Sequence, residues 1–118
     1  MIILHCMKEN SWKKVKEKQS FGLDSIEAEG FIHCSSIGYF WRVAPNFKHI
    51  EEDLVLLCIE TDKLQSKIRW EDGDNCGRYY PHIYGQINID SVVHVLPFLK
   101  DINGDFIKNE ELQKYKDE

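Results

Sequence analysis

The apolar positions of this chain fall into short blocks whose period changes along its length. IILHCM, from Ile2 to Met7, is a short apolar run and predicts a first strand. In WKKVKEKQ, Trp12 and Val15 lie three apart on one helical face, with Asn10 or Ser11 as the cap. Gly22 ends that helix, and a helical turn over Asp24–Glu29 stops at Gly30. FIHCS, from Phe31 to Ser35, predicts the second strand. Ile37, Phe40, Trp41 and Ala44 then show the i, i+3, i+4, i+7 spacing of one buried stripe. This predicts a helix capped by Ser35 or Ser36 and closed by Pro45. LVLLCI, from Leu54 to Ile59, is apolar throughout and too short for a typical helix, so it predicts a central strand. Ile68–Glu71, YYPHIYG and SVVHVLPF predict three more strands, separated by the turns EDGDNCG and NIDS. Asn103-Gly104 marks a hairpin, and the tail from Asn109 predicts a polar helix.

Helices between the first strands, followed by a strand-rich second half, predict an α+β fold whose later strands are antiparallel. At 118 residues the expectation is one domain over 1–118, with a polar helix or tail over 107–118. No window approaches the ~20 apolar residues of a membrane span. The apolar start, Met1 to Leu4, is too short for a signal segment and has no basic flank. No membrane partner is therefore expected, and the setting is cytoplasmic.

Charge narrows the partners further. A net charge of −5 argues against broad phosphate binding, which needs a positive field, so the only nucleic acid left in view is an RNA end. Lys8, Lys13, Lys14, Lys16 and Lys18 read as a solvated helix face. The three arginines, Arg42, Arg69 and Arg78, provide few candidates for a phosphate clamp. The four cysteines include no C-x-x-C, and Cys58 reads as a small buried hydrophobe.

The histidines carry the chemistry. Four of the five lie inside apolar strands, and only His49 sits in a polar loop. Burying an imidazole without a partner costs on the order of a few kcal/mol. Strands that accept this cost repeatedly predict a shared polar cleft. Strand alternation puts Phe31, His33 and Ser35 on one face, Ile3 with His5, and Tyr80 with His82 and Tyr84. His94 has no such polar neighbour and is read as structural. Imidazoles supply acid–base capacity near neutral pH, and tyrosines supply a flat face and a hydroxyl, which suits a ring joined to a ribose.

No metal site is expected. Neighbouring strand residues point apart, so His5 and Cys6 do not ligate one ion, nor does Cys34 pair with His33 as a nucleophile. The acidic turn Asp72–Gly77 lacks the glutamate that closes a calcium loop.

The segments LHCM, AEGFIHCSS, DLVLLCIETDKL, IRWE and YPHIYGQINIDSVVHVLPF, in this order, resemble the bacterial domain of unknown function 952 family over about residues 2–106. That family in turn is similar to a compact ADP-ribosyltransferase fold, which cradles NAD between two small sheets. LHCM sits where such enzymes place a first-strand histidine, and GFIHCSS is similar to the V-H-L-S of the RNA 2′-phosphotransferases. The resemblance implies an ADP-ribosyltransferase-like transferase acting on NAD or a related nucleotide, with His5, His33, Ser35 and Tyr84 as ligand-binding residues. Many ADP-ribosyltransferases carry a third-motif glutamate. Here the strand offers His82 and Tyr84, and Glu71 is the nearest carboxylate, so Glu71 and His82 are the catalytic candidates. The alternative is a noncatalytic module that binds a nucleotide or an RNA end. A small-molecule nucleotide is the expected partner; no acceptor is specified.

Overall fold

The computed structural model describes residues 1–115 of the chain. Two strands form its centre. β1 (Ile2–Lys8) and β5 (Leu54–Glu60) pair antiparallel along their whole length, from Ile2 opposite Glu60 to Lys8 opposite Leu54. β4 (Ser35–Ser36) and β9 (Val92–Pro97) flank them, giving the order β4-β1-β5-β9. The continuous apolar run of β5 follows from burial on both faces. Leu56 and Cys58 join one core with Ile2, Leu4, Ile37, Phe40 and Leu112. Val55, Leu57 and Ile59 join a second with Ile3, Ile32, Cys34 and Ile83. Each fully buried Leu or Ile contributes roughly 1.5–3 kcal/mol, so this double burial makes β5 the anchor of the fold.

The second core is closed by a three-stranded antiparallel sheet, β3-β7-β6, made of β3 (Ile32–His33), β7 (Tyr80–Tyr84) and β6 (Lys67–Glu71). Ile32, Ile83 and Ile68 lie in one row across it and pack inward. α1 (Glu9–Val15) and α2 (Leu23–Glu29) border the same core through Trp12, Val15 and Ile26. Two small ribbons complete the described residues: β2 (Ser20–Phe21) with β8 (Ile87–Asn88), and β10 (Leu99–Lys100) with β11 (Phe106–Ile107). The expected Asn103-Gly104 turn joins the latter pair; Gly104 has φ +84°, and Asp101 accepts the backbone N–H groups of Asn103 and Asp105. The architecture is α+β with several antiparallel sheets, as the element order predicted.

Four expectations change in detail. The first helix starts at Glu9, immediately after β1, so Asn10 and Ser11 lie inside it; it stops at Val15 because the following segment leads into the β2–β8 ribbon. The expected long helix after Ser36 shrinks to α3 (Phe40–Val43), followed by a 3-10 turn at Ala44–Phe47 that holds Pro45. Ile37, Phe40 and Ala44 are buried as the stripe requires, but Trp41 is 62% exposed, with Arg42 over its ring. His94 is exposed on the edge strand β9, near Tyr115, rather than within a core. The tail forms a 3-10 helix at Glu110–Lys114 that buries Leu112; the remainder of the expected helix lies outside the described residues.

The largest local change is in FIHCS. It is not one strand. β3 ends at His33, and Ser35 begins β4 in the other sheet, opposite Leu4. Cys34 bridges the two with its N–H on the Pro81 carbonyl. Ser35 therefore does not share the face of Phe31 and His33. The crossover also needs Gly22 at φ +102°, because a Cβ there would lie 2.3 Å from Ile32 Cδ1.

Candidate functional site

Strand register assembles the site. With Ile32, Ile83 and Ile68 turned inward, the alternate row His33–His82–Arg69 turns outward across β3, β7 and β6. Glu71 lies on the same face of β6, and its Oε1 accepts two hydrogen bonds from β7. His82 donates from Nδ1 over 2.9 Å, and Tyr84 donates its hydroxyl over 2.5 Å. The Phe31 ring stacks on His82 at 4.1 Å between centroids and 19° between planes. The His33 ring stands edge-on to His82 at 5.3 Å, and the Arg69 guanidinium lies 5.0 Å from the Tyr84 ring centre. His33 is 61% exposed, and its Nε2 meets Glu29 Oε2 at 2.9 Å.

The electrostatics follow from these contacts. The Tyr84 hydroxyl first, and His82 second, hold the Glu71 carboxyl below the usual carboxylate range. The same bond raises the Tyr84 phenol above its ordinary value. Glu71 is thus a carboxylate at neutral pH. The bond also fixes a proton on His82 Nδ1, since a carboxylate oxygen can only accept. Because the folded-state pKa of Glu71 is depressed, its contribution to stability is complete above the unfolded value of about 4.3. That contribution is lost as pH falls through the folded-state value. Melting temperature measured against pH is therefore expected to fall less steeply on the acid side in Glu71→Gln than in the parent.

His5 occupies a different compartment. It shares the Ile3 side of β1, and its Nδ1–H donates to the His33 carbonyl over 2.8 Å. Burial holds its imidazole pKa below the usual value, so it is neutral at pH 7. Ser35 is buried, and its Oγ donates to the Ser36 carbonyl. The six predicted site residues therefore form two groups. Glu71, His82, Tyr84 and the His33 ring meet on the outer sheet face; His5 and Ser35 line a cavity beside the His33 backbone. His33 is the joint between them.

Three further members of this neighbourhood were not among the expected site residues: Phe31, Arg69 and Glu29. Phe31 shares the His33 parity, which was a usable signal. Arg69 depends on the β6–β7 register, and Glu29 on the Gly30 turn, for which the sequence has no comparable mark.

The thiols of Cys6, Cys34 and Cys58 are not nucleophiles. Burial pushes Cys6 up to about 12 and Cys58 up to about 11, and raises Cys34 as well. The Asp72 carboxylate closes its own loop by accepting the N–H groups of Cys76 and Gly77. Among the described residues, no three His, Cys, Asp or Glu side chains are grouped to hold a metal ion, and no helix is long and apolar enough to cross a membrane.

The fold recurs in CC0527 from Caulobacter crescentus. Two crystal structures of that protein, one of a double mutant, align with a TM-score of 0.81 at 24% identity. They cover 96% of this chain and 99% of that one. Its solution NMR structure aligns with a TM-score of 0.72 at 26% identity, over 87% and 89% of the two chains. At this identity the crystal structures speak to fold alone. No curated protein matches the sequence significantly. The sequence pattern of one family, described as protein of unknown function (DUF952), matches residues 6–95, which is most of the chain. The chain belongs to the DUF952 family.

Proposed function

We propose that this protein is an ADP-ribosyltransferase-like domain that binds NAD or a related ADP-ribosyl ligand in the cytoplasm and acts at the ribose C1′ by transfer or cleavage. One observation carries the reading: Glu71 is an ionised carboxylate, pinned by Tyr84 and His82 on an aromatic-walled face. Cleavage at C1′ develops positive charge on the sugar, and a fixed carboxylate stabilises it without reorganising during the reaction. His33 anchors a ribose hydroxyl on the outer face of β3, and His5 lines the adjoining cavity. Tyr84 positions Glu71 rather than stacking on a base, because Arg69 already covers its ring. Arg69, held over that ring, keeps N–H donors for a phosphate.

A noncatalytic module for a nucleotide or an RNA end is the second reading. It is favoured because the contacts of Glu71 also tie β6 to β7, as a purely structural cross-strand clamp would.

Thermal shift and nicotinamide release separate the two. NAD or ADP-ribose at 100 times its Kd adds about 2.7 kcal/mol of stability, enough to raise the melting temperature measurably. The proposal expects that rise together with nicotinamide release from NAD. Binding without release, or a shift only with a 2′-phosphorylated nucleotide, supports the second reading. No shift with any of these ligands overturns both.

A further inference from the structure

Beyond Leu4 the edge of β1 is open. β4 pairs only with Ile3 and Leu4, whereas β1 continues to Lys8. Two cavities lie along this edge. The larger, about 590 Å³, is lined by polar groups that include Ser11, Lys18, Ser20, Asp24 and Gln86. The smaller, about 220 Å³, has the apolar walls Leu4, Cys34, Phe40, Val43 and Phe47. His5, Cys6 and Ser25 line both, so the two are lobes of one cleft. The larger lobe falls within the roughly 300–1,000 Å³ of small-molecule sites. The smaller exceeds the ~150 Å³ apolar cavity that takes benzene, so it has room for one ring system.

His5 sets the polarity of whatever enters. A carbonyl oxygen accepts only from an N–H, so the bond to His33 places the proton on Nδ1 and leaves Nε2 as an acceptor. Nε2 has no hydrogen-bond partner among the described residues. A neutral acceptor lining a pocket favours a donor, whereas a carboxylate, phosphate or carbonyl would face it with another lone pair.

We infer that this cleft binds a molecule carrying one uncharged heteroaromatic ring with an N–H donor: the ring enters the apolar lobe, its N–H donates to His5 Nε2, and a hydroxylated remainder fills the larger lobe. The serine hydroxyls and Gln86 exchange hydrogen bonds with that remainder. Ser20 Oγ already donates to Gln86 Oε1 at 3.2 Å, which leaves the Gln86 amide N–H groups for a ligand. The inference goes beyond the proposed function and stands without it, since Glu71, His82 and Tyr84 line neither lobe.

Two fragments test it. Benzimidazole has the ring N–H, and N-methylbenzimidazole does not; both are uncharged at mildly alkaline pH. Each is titrated into isotope-labelled protein, and backbone amide resonances are followed. Benzimidazole is expected to shift resonances around Ser25, Cys34 and Val43 and to bind about tenfold more tightly than its methylated relative, the effect of one hydrogen bond. The difference should vanish in His5→Phe, which keeps the ring and removes the acceptor. Ser25→Trp, which fills the junction of the lobes, should abolish the shifts for both fragments and serves if His5→Phe does not fold. Equal affinities in the parent, shifts centred elsewhere, or shifts that survive Ser25→Trp overturn the inference.

Discussion

Glu71→Gln is expected to lower nicotinamide release from NAD by roughly two to three powers of ten, the usual cost of removing one preorganised transition-state contact. Glutamine matches glutamate in shape, and its amide oxygen still accepts from Tyr84 and His82, so the β6–β7 link survives. What disappears is the negative charge. That charge matters most when positive charge develops on the sugar, so ligand affinity changes much less than turnover. His82→Ala removes one of the two donors that hold the carboxylate and leaves the charge in place, so the expected loss is smaller. Turnover by Glu71→Gln equal to that of the parent would remove the carboxylate from the chemistry and direct attention to His82 with Tyr84.

The second large effect lies directly beneath the site. Ile83 is fully buried, flanked by Ile32 and Ile68 in the row that seals the three-stranded sheet onto the central one. Truncation to alanine leaves a cavity between two sheets joined by strands, and such sites collapse poorly. Ile83→Ala is expected to cost about 2–5 kcal/mol, seen as a melting temperature lower by roughly 10–20 °C. Ile83 sits next to His82 on β7, so the outward row loosens with it. Leu56→Ala offers the contrast, because it empties the other core, on the far side of β1 and β5. Comparable losses of stability with a weaker ligand shift in Ile83→Ala alone would link the inner row to the outer one. A melting temperature unchanged in Ile83→Ala would mean that the row does not seal the sheet.

Much of this organisation was legible along the chain. The short apolar run IILHCM and the unbroken LVLLCI marked the two central strands, since each is apolar and too short for a typical helix. Alternation in YYPHIYG put Tyr80, His82 and Tyr84 on the face opposite Ile83, where they are. The same rule failed in FIHCS, because alternation assumes one strand in one sheet. At Cys34 the chain leaves one sheet for the other, so Ser35 turns away from His33. Trp41 failed because the stripe assumed a long helix, whereas α3 is a single turn, Phe40–Val43, that turns Trp41 to solvent.

Local pattern therefore determined the α+β class, the central strands, the turns at Gly22, Gly30 and Gly104, and the outward parity of the β7 histidine, because each follows from side-chain period or backbone freedom within a few residues. Only the tertiary structure decided which strands are neighbours, and with that the chemistry of the site. Glu71 and His82 lie 11 positions apart across a turn, and they meet because β6 and β7 pair in one register. His5 and His33 lie 28 positions apart, and they meet because β3 ends beside the open edge of β1. A shift of one residue in either pairing would turn these side chains to the opposite face. Register is fixed by burying Ile32, Ile83 and Ile68 together, a requirement of the whole core that no single segment carries.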